Sequence, residues 1–279
     1  MKYLIYFLVI ILTVKLNSQN INLNQSDLID HLRYLDLKGE INLGYSFNQR
    51  PLEIGNNGLK IKNNFIDSDI LFNNIVSSTN KKSNIKFLPV DFNIEFNSHH
   101  PYNRNNGSMI PNKGYQHIIS AGIYFDLGPL SIQLKPEHHY ADNLEYNGFP
   151  ETHYTAIWAS RYILWNRSDI PERFGKKRHN NTLIGQSNIK LNFKKISIGF
   201  SNENIWWGPS IRNSIMMSNH ARGFKHITFN TTKPLKTKIG NFEWQVVSGR
   251  LESSGYLPAN SDFQFGGTNI YVPKINQLG

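Results

Sequence analysis

Ile119, Ala121, Ile123, Phe125 and Leu127 alternate with Ser120, Gly122, Tyr124 and Asp126, and after Gly128-Pro129 the pattern resumes with Leu130, Ile132 and Leu134. It returns at Ile189, Leu191 and Phe193. Past a tight Lys194-Lys195 link it continues at Ile196, Ile198 and Phe200. Ile227 and Phe229 extend it, as do Phe242, Trp244 and Val246. A period of two gives each strand one apolar and one polar face, which commits the chain to an all-β fold. A soluble sandwich turns the apolar face inward; an outer-membrane barrel turns it out to lipid and lines its lumen with the polar face.

Three features favour the barrel. The polar positions are rich in Ser, Gly, Asn and Gln, groups that fill a lumen without net charge. Short links such as Gly128-Pro129 and Lys194-Lys195 alternate with long loops, as periplasmic turns alternate with outer loops. Aromatic residues recur near strand ends (Phe87, Phe96, Tyr115, Trp244), where interfacial girdles sit. With the short links at the periplasm, the Asn97–Gly114 loop is extracellular. The strand from Ile196 then runs outward, provided Tyr140–Leu183 holds an even number of crossings, of which Tyr154–Ile163 could supply one.

The N-terminus predicts export. Met1-Lys2 is basic, Tyr3 to Val14 is apolar, and Asn17-Ser18-Gln19 is small and polar, so residues 1–18 read as a secretory signal peptide. The run falls short of the roughly 18–20 residues of a spanning helix. Residues 19–86 form a separate N-terminal region, either periplasmic or a plug. In it Leu28, Ile29, Leu32 and Leu35 have helical spacing behind Ser26 as N-cap. Residues 87–279 make up the barrel domain.

With 0 cysteines, disulfides, thiolate metal sites and an acylated N-terminal cysteine are excluded. The net charge of +10 would suit nucleic acid, but the lysines are scattered rather than set in a stripe. Nucleic acid is therefore not an expected partner.

Ser201-Asn-Glu-Asn-Ile-Trp-Trp-Gly-Pro-Ser-Ile-Arg-Asn213 is the densest candidate site. Glu203, Asn204, Trp206, Trp207, Arg212 and Asn213 form a polar-aromatic set that either packs the lumen or binds polysaccharide. Indole faces stack on sugar C–H surfaces, and Arg212 and the asparagines can bond hydroxyls or acidic groups. In the packing alternative Arg212 pairs with Glu203. Alternation cannot bring these residues together, so a loop must fold back between Gly208-Pro209 and Gly223.

This segment resembles the hallmark of the capsule assembly Wzi family. So, in order, do Leu130-Ser-Ile-Gln-Leu-Lys-Pro-Glu137 with Asn143, Asp169-Ile-Pro-Glu-Arg-Phe-Gly175, Gly185-Gln-Ser187 and Gly223-Phe-Lys-His226. Thr231-Thr-Lys-Pro234, Ile239-Gly240 and Ser248-Gly-Arg-Leu-Glu-Ser-Ser-Gly-Tyr256 complete a likeness over roughly residues 88–256. The resemblance implies a monomeric bacterial outer-membrane barrel, in contact with lipid, that binds or helps assemble capsular or extracellular polysaccharide without an enzymatic reaction. Family members are generally longer and barrels usually end on an aromatic residue. A chain ending Asn276-Gln-Leu-Gly279 is thus expected to lack its closing strands.

Other chemistries have less behind them. His99-His100 and His138-His139 are adjacent pairs whose side chains diverge on a strand, so they suit solvated loops better than a metal site. No cofactor is implied. Ser218-Asn-His220 could serve an outer-membrane esterase or phospholipase, and Glu137, Glu203 and Glu252 could supply a carboxylate pair, but neither has a defining spacing. A pore for small solutes is the second functional reading.

Overall fold

The computed structural model describes residues 18–21, 26–41, 44–55, 75–77, 84–150, 152–154, 156–158, 160–161, 171, 173–252, 254–256 and 276–278. Apart from Ser18, the expected leader lies outside them. The N-terminal strands are β1 (Ser18–Ile21), β2 (Gln49–Arg50), β3 (Leu52–Gly55) and β4 (Ile75–Ser77). Next come β5 (Asn84–Tyr102), β6 (Asn112–Leu127), β7 (Leu130–Leu134), β8 (Glu137–Ala141), β9 (His179–Leu183), β10 (Asn188–Phe193) and β11 (Ile196–Ser201). The last are β12 (Trp206–Trp207), β13 (His226–Thr231), β14 (Leu235–Thr237), β15 (Gly240–Phe242), β16 (Gln245–Arg250) and β17 (Asn276–Leu278).

One antiparallel sheet dominates, in the order β17-β16-β13-β11-β10-β7-β6-β5-β4, with β8 paired to β6 and to β9. Among the described residues it ends at β17 and β4 and does not close on itself. Among the described residues the regular secondary structure is mostly antiparallel strand with little helix, and no helix there is long and apolar enough to cross a membrane.

Which way the faces point is the informative part. Ile119, Leu191 and Ile198 are 40–45% exposed, and Phe92, Ile94, Leu134, Ile189, Phe200, Ile227 and Val246 are exposed with them. On the opposite face Gln116, Ser120, Gln133, His139, Asn192, Ser197, Thr228 and Asn230 are buried. A soluble sandwich would need the reverse.

Burying polar side chains requires partners, and glycine helps supply two of them. Lys135 is buried and pairs with Asp91 of β5 at 2.5 Å. To reach it, its stem passes over β6 at Gly122, where an added Cβ would sit 2.9 Å from the Lys135 Cβ and Cγ. Lys190 pairs with Glu203 at 3.6 Å. It lies opposite Gly199 of β11, where an added Cβ would clash with the Ile189 carbonyl oxygen and sit 2.9 Å from the Lys190 Cγ. In both places the missing side chain lets a buried cation reach its carboxylate.

The two ends of the sheet differ. The Gly128-Pro129 and Lys194-Lys195 turns share one end, where Asn192 N–H donates to the Pro129 carbonyl and Thr232 N–H to that of Lys195. The long connections gather at the other end, where Gly107 N–H donates to the Asn219 carbonyl. The Asn97–Gly114 loop is shorter than its sequence suggests: β5 runs on to Tyr102 and β6 starts at Asn112.

Three expectations need correction. Residues 156–158 and 160–161 of the proposed Tyr154–Ile163 crossing are helical, and β8 pairs directly with β9, so no described strand crosses between them. Phe242, Trp244 and Val246 do not share a strand; Phe242 ends β15, and Trp244 N–H is taken by the Thr231 hydroxyl before β16 begins. Both histidine pairs lie on strands rather than in loops: His99-His100 is exposed on β5 with its rings 4.4 Å apart instead of diverging, and on β8 His138 is exposed and His139 buried, as alternation demands.

In the N-terminal region, the helical spacing becomes α1 (Ser26–Leu37), which buries Ile29, Leu32 and Leu35 with Ile41, Phe47 and Leu52. Gly39, at φ 72°, ends it in the left-handed region. The β1 and β3 strands pair antiparallel with each other.

The glycine crossings give a direct test. Gly122→Val should block the Lys135 stem and destabilise the fold by about 3–5 kcal/mol, because a buried ammonium loses its partner. Lys236→Ala, at an exposed position of β14, should cost much less. Urea unfolding of both variants measures the difference.

Candidate functional site

The candidate site begins where β11 ends. Ser201 faces the buried side, and its hydroxyl accepts from Glu203 N–H at 3.0 Å while donating to a Glu203 carboxylate oxygen at 3.1 Å. This local clasp turns the chain inward. Glu203 then meets Lys190, and its second oxygen accepts from Gln133 Nε2 at 3.2 Å.

Gln186 joins the next residues to that base. Its Nε2 donates to Glu137 at 3.0 Å and to Asn204 Oδ1 at 2.8 Å, and its Oε1 accepts Asn204 N–H at 2.9 Å. Glu137 also accepts from Ser108 Oγ at 2.5 Å, and Asn204 Nδ2 donates to the Ala221 carbonyl. Glu137, Gln186, Glu203 and Asn204 are all buried, so each bond is worth more than a solvent-exposed one and costs more to lose.

Trp206 and Trp207 follow as β12, and their strand partner comes from the N-terminal region: Trp206 faces Arg50 and Trp207 faces Gln49. Trp206 is buried, and its indole N–H donates to the Ser210 carbonyl at 3.0 Å. The Arg50 guanidinium lies over the Trp206 ring, 5.2 Å from its centroid, and donates to the carbonyls of Ser210 (2.7 Å) and Gly208 (3.3 Å). Burial lowers the Arg50 pKa, Asp30 opposes that, and Arg33 adds to it. Arg33 donates to the Pro209 carbonyl at 2.8 Å. Two arginines distant in sequence thus hold the turn after the tandem tryptophans. Trp207 is half-buried and donates to Gln245 Oε1 at 2.6 Å.

Arg212 and Asn213 lie elsewhere. Both are exposed, and they meet the loop between β5 and β6: Arg104 donates to Asn213 Oδ1 at 3.0 Å, and Asn105 Nδ2 to the Arg212 carbonyl at 2.8 Å. The six residues therefore divide. Glu203, Asn204 and Trp206 are buried together, Trp207 bridges to β16, and Arg212 and Asn213 stand at the loop end. The anticipated Arg212–Glu203 pair does not form, because Lys190 on the neighbouring strand already neutralises Glu203.

Arg50, Gln186, Lys190 and Gln133, which the sequence did not mark as site residues, complete this arrangement with Glu137, which it offered only as one of a carboxylate pair. Inward parity could have found Lys190 and Gln133; nothing local marks Arg50. His220 joins the exposed group, its Nδ1 taking Asn105 N–H at 3.4 Å, and burial followed by the nearby Arg104 lowers its pKa. Ser218 and His220 make no hydrogen bond to each other among the described residues. There, too, no three His, Cys, Asp or Glu side chains gather as a metal site.

Two further sequence pieces converge at the same end. Asn143 Nδ2 donates to the carbonyls of Phe174, Gly175 and Lys177, and Arg173 returns a bond to the Asn143 carbonyl at 2.9 Å.

If Arg50 anchors the folded-in segment, Arg50→Lys should lose the two-carbonyl fork. The expected cost is about 1–3 kcal/mol, with red-shifted tryptophan fluorescence and faster tryptic cleavage at Arg212. Unchanged cleavage would show that the segment holds itself.

Comparison with characterised proteins and with solved structures gave no match. The sequence profile of the capsule assembly protein Wzi family does match, over residues 98–267, more than half of the chain and including the whole Glu203–Asn213 segment. The chain belongs to the capsule assembly protein Wzi family.

Proposed function

We propose that this chain is a bacterial outer-membrane β-barrel protein that holds capsular or extracellular polysaccharide at the cell surface without catalysing a reaction. The observation that carries the reading is the inverted sheet: exposed Ile, Leu and Phe on one face and buried Gln, Ser, Asn and Thr on the other. Hydrocarbon is the solvent in which that arrangement is favourable. Family membership supplies the link to capsule. On this reading residues 1–18 are an export signal, the N-terminal segment carrying α1, β2 and β3 folds against the lumen, and the end with short turns faces the periplasm.

Polysaccharide contact then falls to the opposite end rather than to the tandem tryptophans. Arg104, Arg212 and Asn213 are exposed there, and no described carboxylate lies within ion-pair distance of either arginine. They suit a polymer with acidic groups. Trp206, beneath Arg50, has the surroundings of a packing residue. The pore reading has less behind it, because the tandem tryptophan segment turns in over the buried polar face and pairs there with β2. Where Pro51 meets Lys190, Glu203 and His226 the gap is ≈ 10 Å³, and beside Tyr45 and Gln245 it is ≈ 20 Å³. Either holds about one water molecule.

The test separates rim from interior. Arg104→Ala combined with Arg212→Ala should lower cell-retained acidic polysaccharide several-fold while the protein still inserts and keeps heat-modifiable migration. Trp206→Ala should instead destabilise the fold by about 3–5 kcal/mol. Unchanged cell-associated polysaccharide after deletion of the gene would overturn the functional reading.

A further inference from the structure

The outward face changes character along the strands, and it does so at one level. On β6 it runs Leu127, Phe125, Ile123, Ala121 and Ile119, then turns to His117, Tyr115 and Lys113. Along β7 and β8 it runs Leu130, Ile132 and Leu134, then His138 and Tyr140. The register sets Ile119 beside His138 and His117 beside Tyr140. From Leu127 to Ile119 the apolar stretch is about 26 Å along the strand at ~3.3 Å per residue. Tilted by ~40°, it covers about 20 Å, close to the ~25 Å apolar band of an outer-membrane barrel.

Just past that boundary the rings form one cluster. His117 stacks on Tyr140 with centroids 5.4 Å apart and an interplanar angle of 21°, and it lies 5.4 Å from Tyr115 and 6.4 Å from His138. Strand β9 continues the face, with Thr182 opposite His138 and Asn180 opposite Tyr140, so alternation puts Arg178 on the same side.

Arg178 ends an exposed basic run, Lys176-Lys177-Arg178, that the fold holds by its backbone. Asn143 Nδ2 donates to the carbonyl of Lys177 at 2.8 Å and Arg173 to that of Lys176 at 3.4 Å, which leaves the cationic side chains outside. Among the described residues the nearby acids have other partners. Asp142 accepts from the Tyr140 hydroxyl at 2.9 Å and from Tyr115 N–H at 3.0 Å, and Glu145 pairs with Arg173 at 3.5 Å.

We infer that this rim of β6, β8 and β9 binds the phosphorylated headgroup of an outer-leaflet glycolipid, through Lys176, Lys177 and Arg178 above His117, His138 and Tyr140. The inference rests on the membrane orientation proposed above. Lysine and arginine supply charge-assisted bonds to phosphate, and imidazole and phenol rings are suited to the boundary between hydrocarbon and headgroup. The surface continues the apolar band and faces away from the buried polar side. A lipid chain would therefore run down the sheet beneath its own headgroup, an arrangement a soluble polymer would not need.

The test uses the full chain in detergent micelles, titrated separately with bisphosphorylated lipid A, dephosphorylated lipid A and purified capsular polymer. Native mass spectrometry reads bound lipid; co-precipitation reads bound polymer. The wild type should bind the bisphosphorylated lipid at least tenfold more tightly than the dephosphorylated one. Combined Lys176→Ala, Lys177→Ala and Arg178→Ala should bring the first down to the level of the second and leave polymer binding unchanged. Equal binding of the two lipids by the wild type overturns the proposal, and needs no variant to fold. Loss of polymer rather than lipid from the triple variant overturns it too, and assigns the run to the polysaccharide. Absence of heat-modifiable migration in the wild type would remove the outer-membrane reading itself, a failure distinct from either.

Discussion

The Lys190 ammonium, buried on the polar side of β10, has to be neutralised there, and Glu203 does so. A buried lysine without a carboxylate would cost several kcal/mol or shed its proton. Satisfying it draws the chain inward after Ser201, where a strand of this sheet would otherwise leave for the loop end. That inward turn sets the position of everything that follows. Asn204 comes within reach of Gln186, Gln186 of Glu137, and Trp206 of the N-terminal region. Gly199 is part of the same device, since a side chain there would occupy the path of the Lys190 stem.

Once inside, the segment needs partners for its backbone, because a folded-in loop has no water to satisfy it. The N-terminal region provides them. Residues Gln49–Arg50 pair with Trp206–Trp207, Gly208 N–H donates to the Asn48 carbonyl, and Arg50 takes up two carbonyls of the turn. Arginine suits this place better than lysine, because one planar group can cover an indole and reach two acceptors at once. The docking extends to the short-turn end, where the Tyr45 hydroxyl donates to the Thr232 carbonyl and Ser46 N–H to Glu243. The N-terminal region and the tryptophan segment therefore stabilise each other.

The strands were legible in the sequence because alternation is local, and the sense of the sheet was legible from what alternates. Serine, glutamine and asparagine opposite isoleucine and phenylalanine can be buried together only if they bond one another, as Asn192 does with Ser131 and Gln133 with Glu203. The fold-back of the tryptophan segment was expected between Gly208-Pro209 and Gly223, whereas the chain turns inward already after Ser201. What failed was partner choice. Glu203 and Arg212 are near in sequence and opposite in charge, but Lys190 is a neighbour through strand pairing. The Arg50 contact spans 158 residues to Gly208 and leaves no local trace. The Phe242–Val246 alternation misled because Thr231 captures the Trp244 backbone and interrupts the strand.

Charge is distributed according to the same division. On the polar face the two buried lysines each have a carboxylate, and nearby Asn192 donates to Ser131 and Thr228 to Asn230. The formal excess of +10 is therefore carried largely by residues outside that face. At the long-loop end it takes two forms. Arg104 and Arg212 sit on loops gathered around the inward-turning segment, where a polymer could pass. Lys176, Lys177 and Arg178 sit outside the sheet above its apolar band, fixed by Asn143 and Arg173. Position relative to the sheet separates these two basic groups more sharply than their chemistry does, since guanidinium and ammonium bind carboxylate and phosphate alike. A flexible acidic chain can reach the first group without touching hydrocarbon, whereas an anion reaching the second lies beside the apolar band. On the proposed reading one net charge serves two surfaces, and the face of the sheet on which the cations stand decides which anion each group would meet.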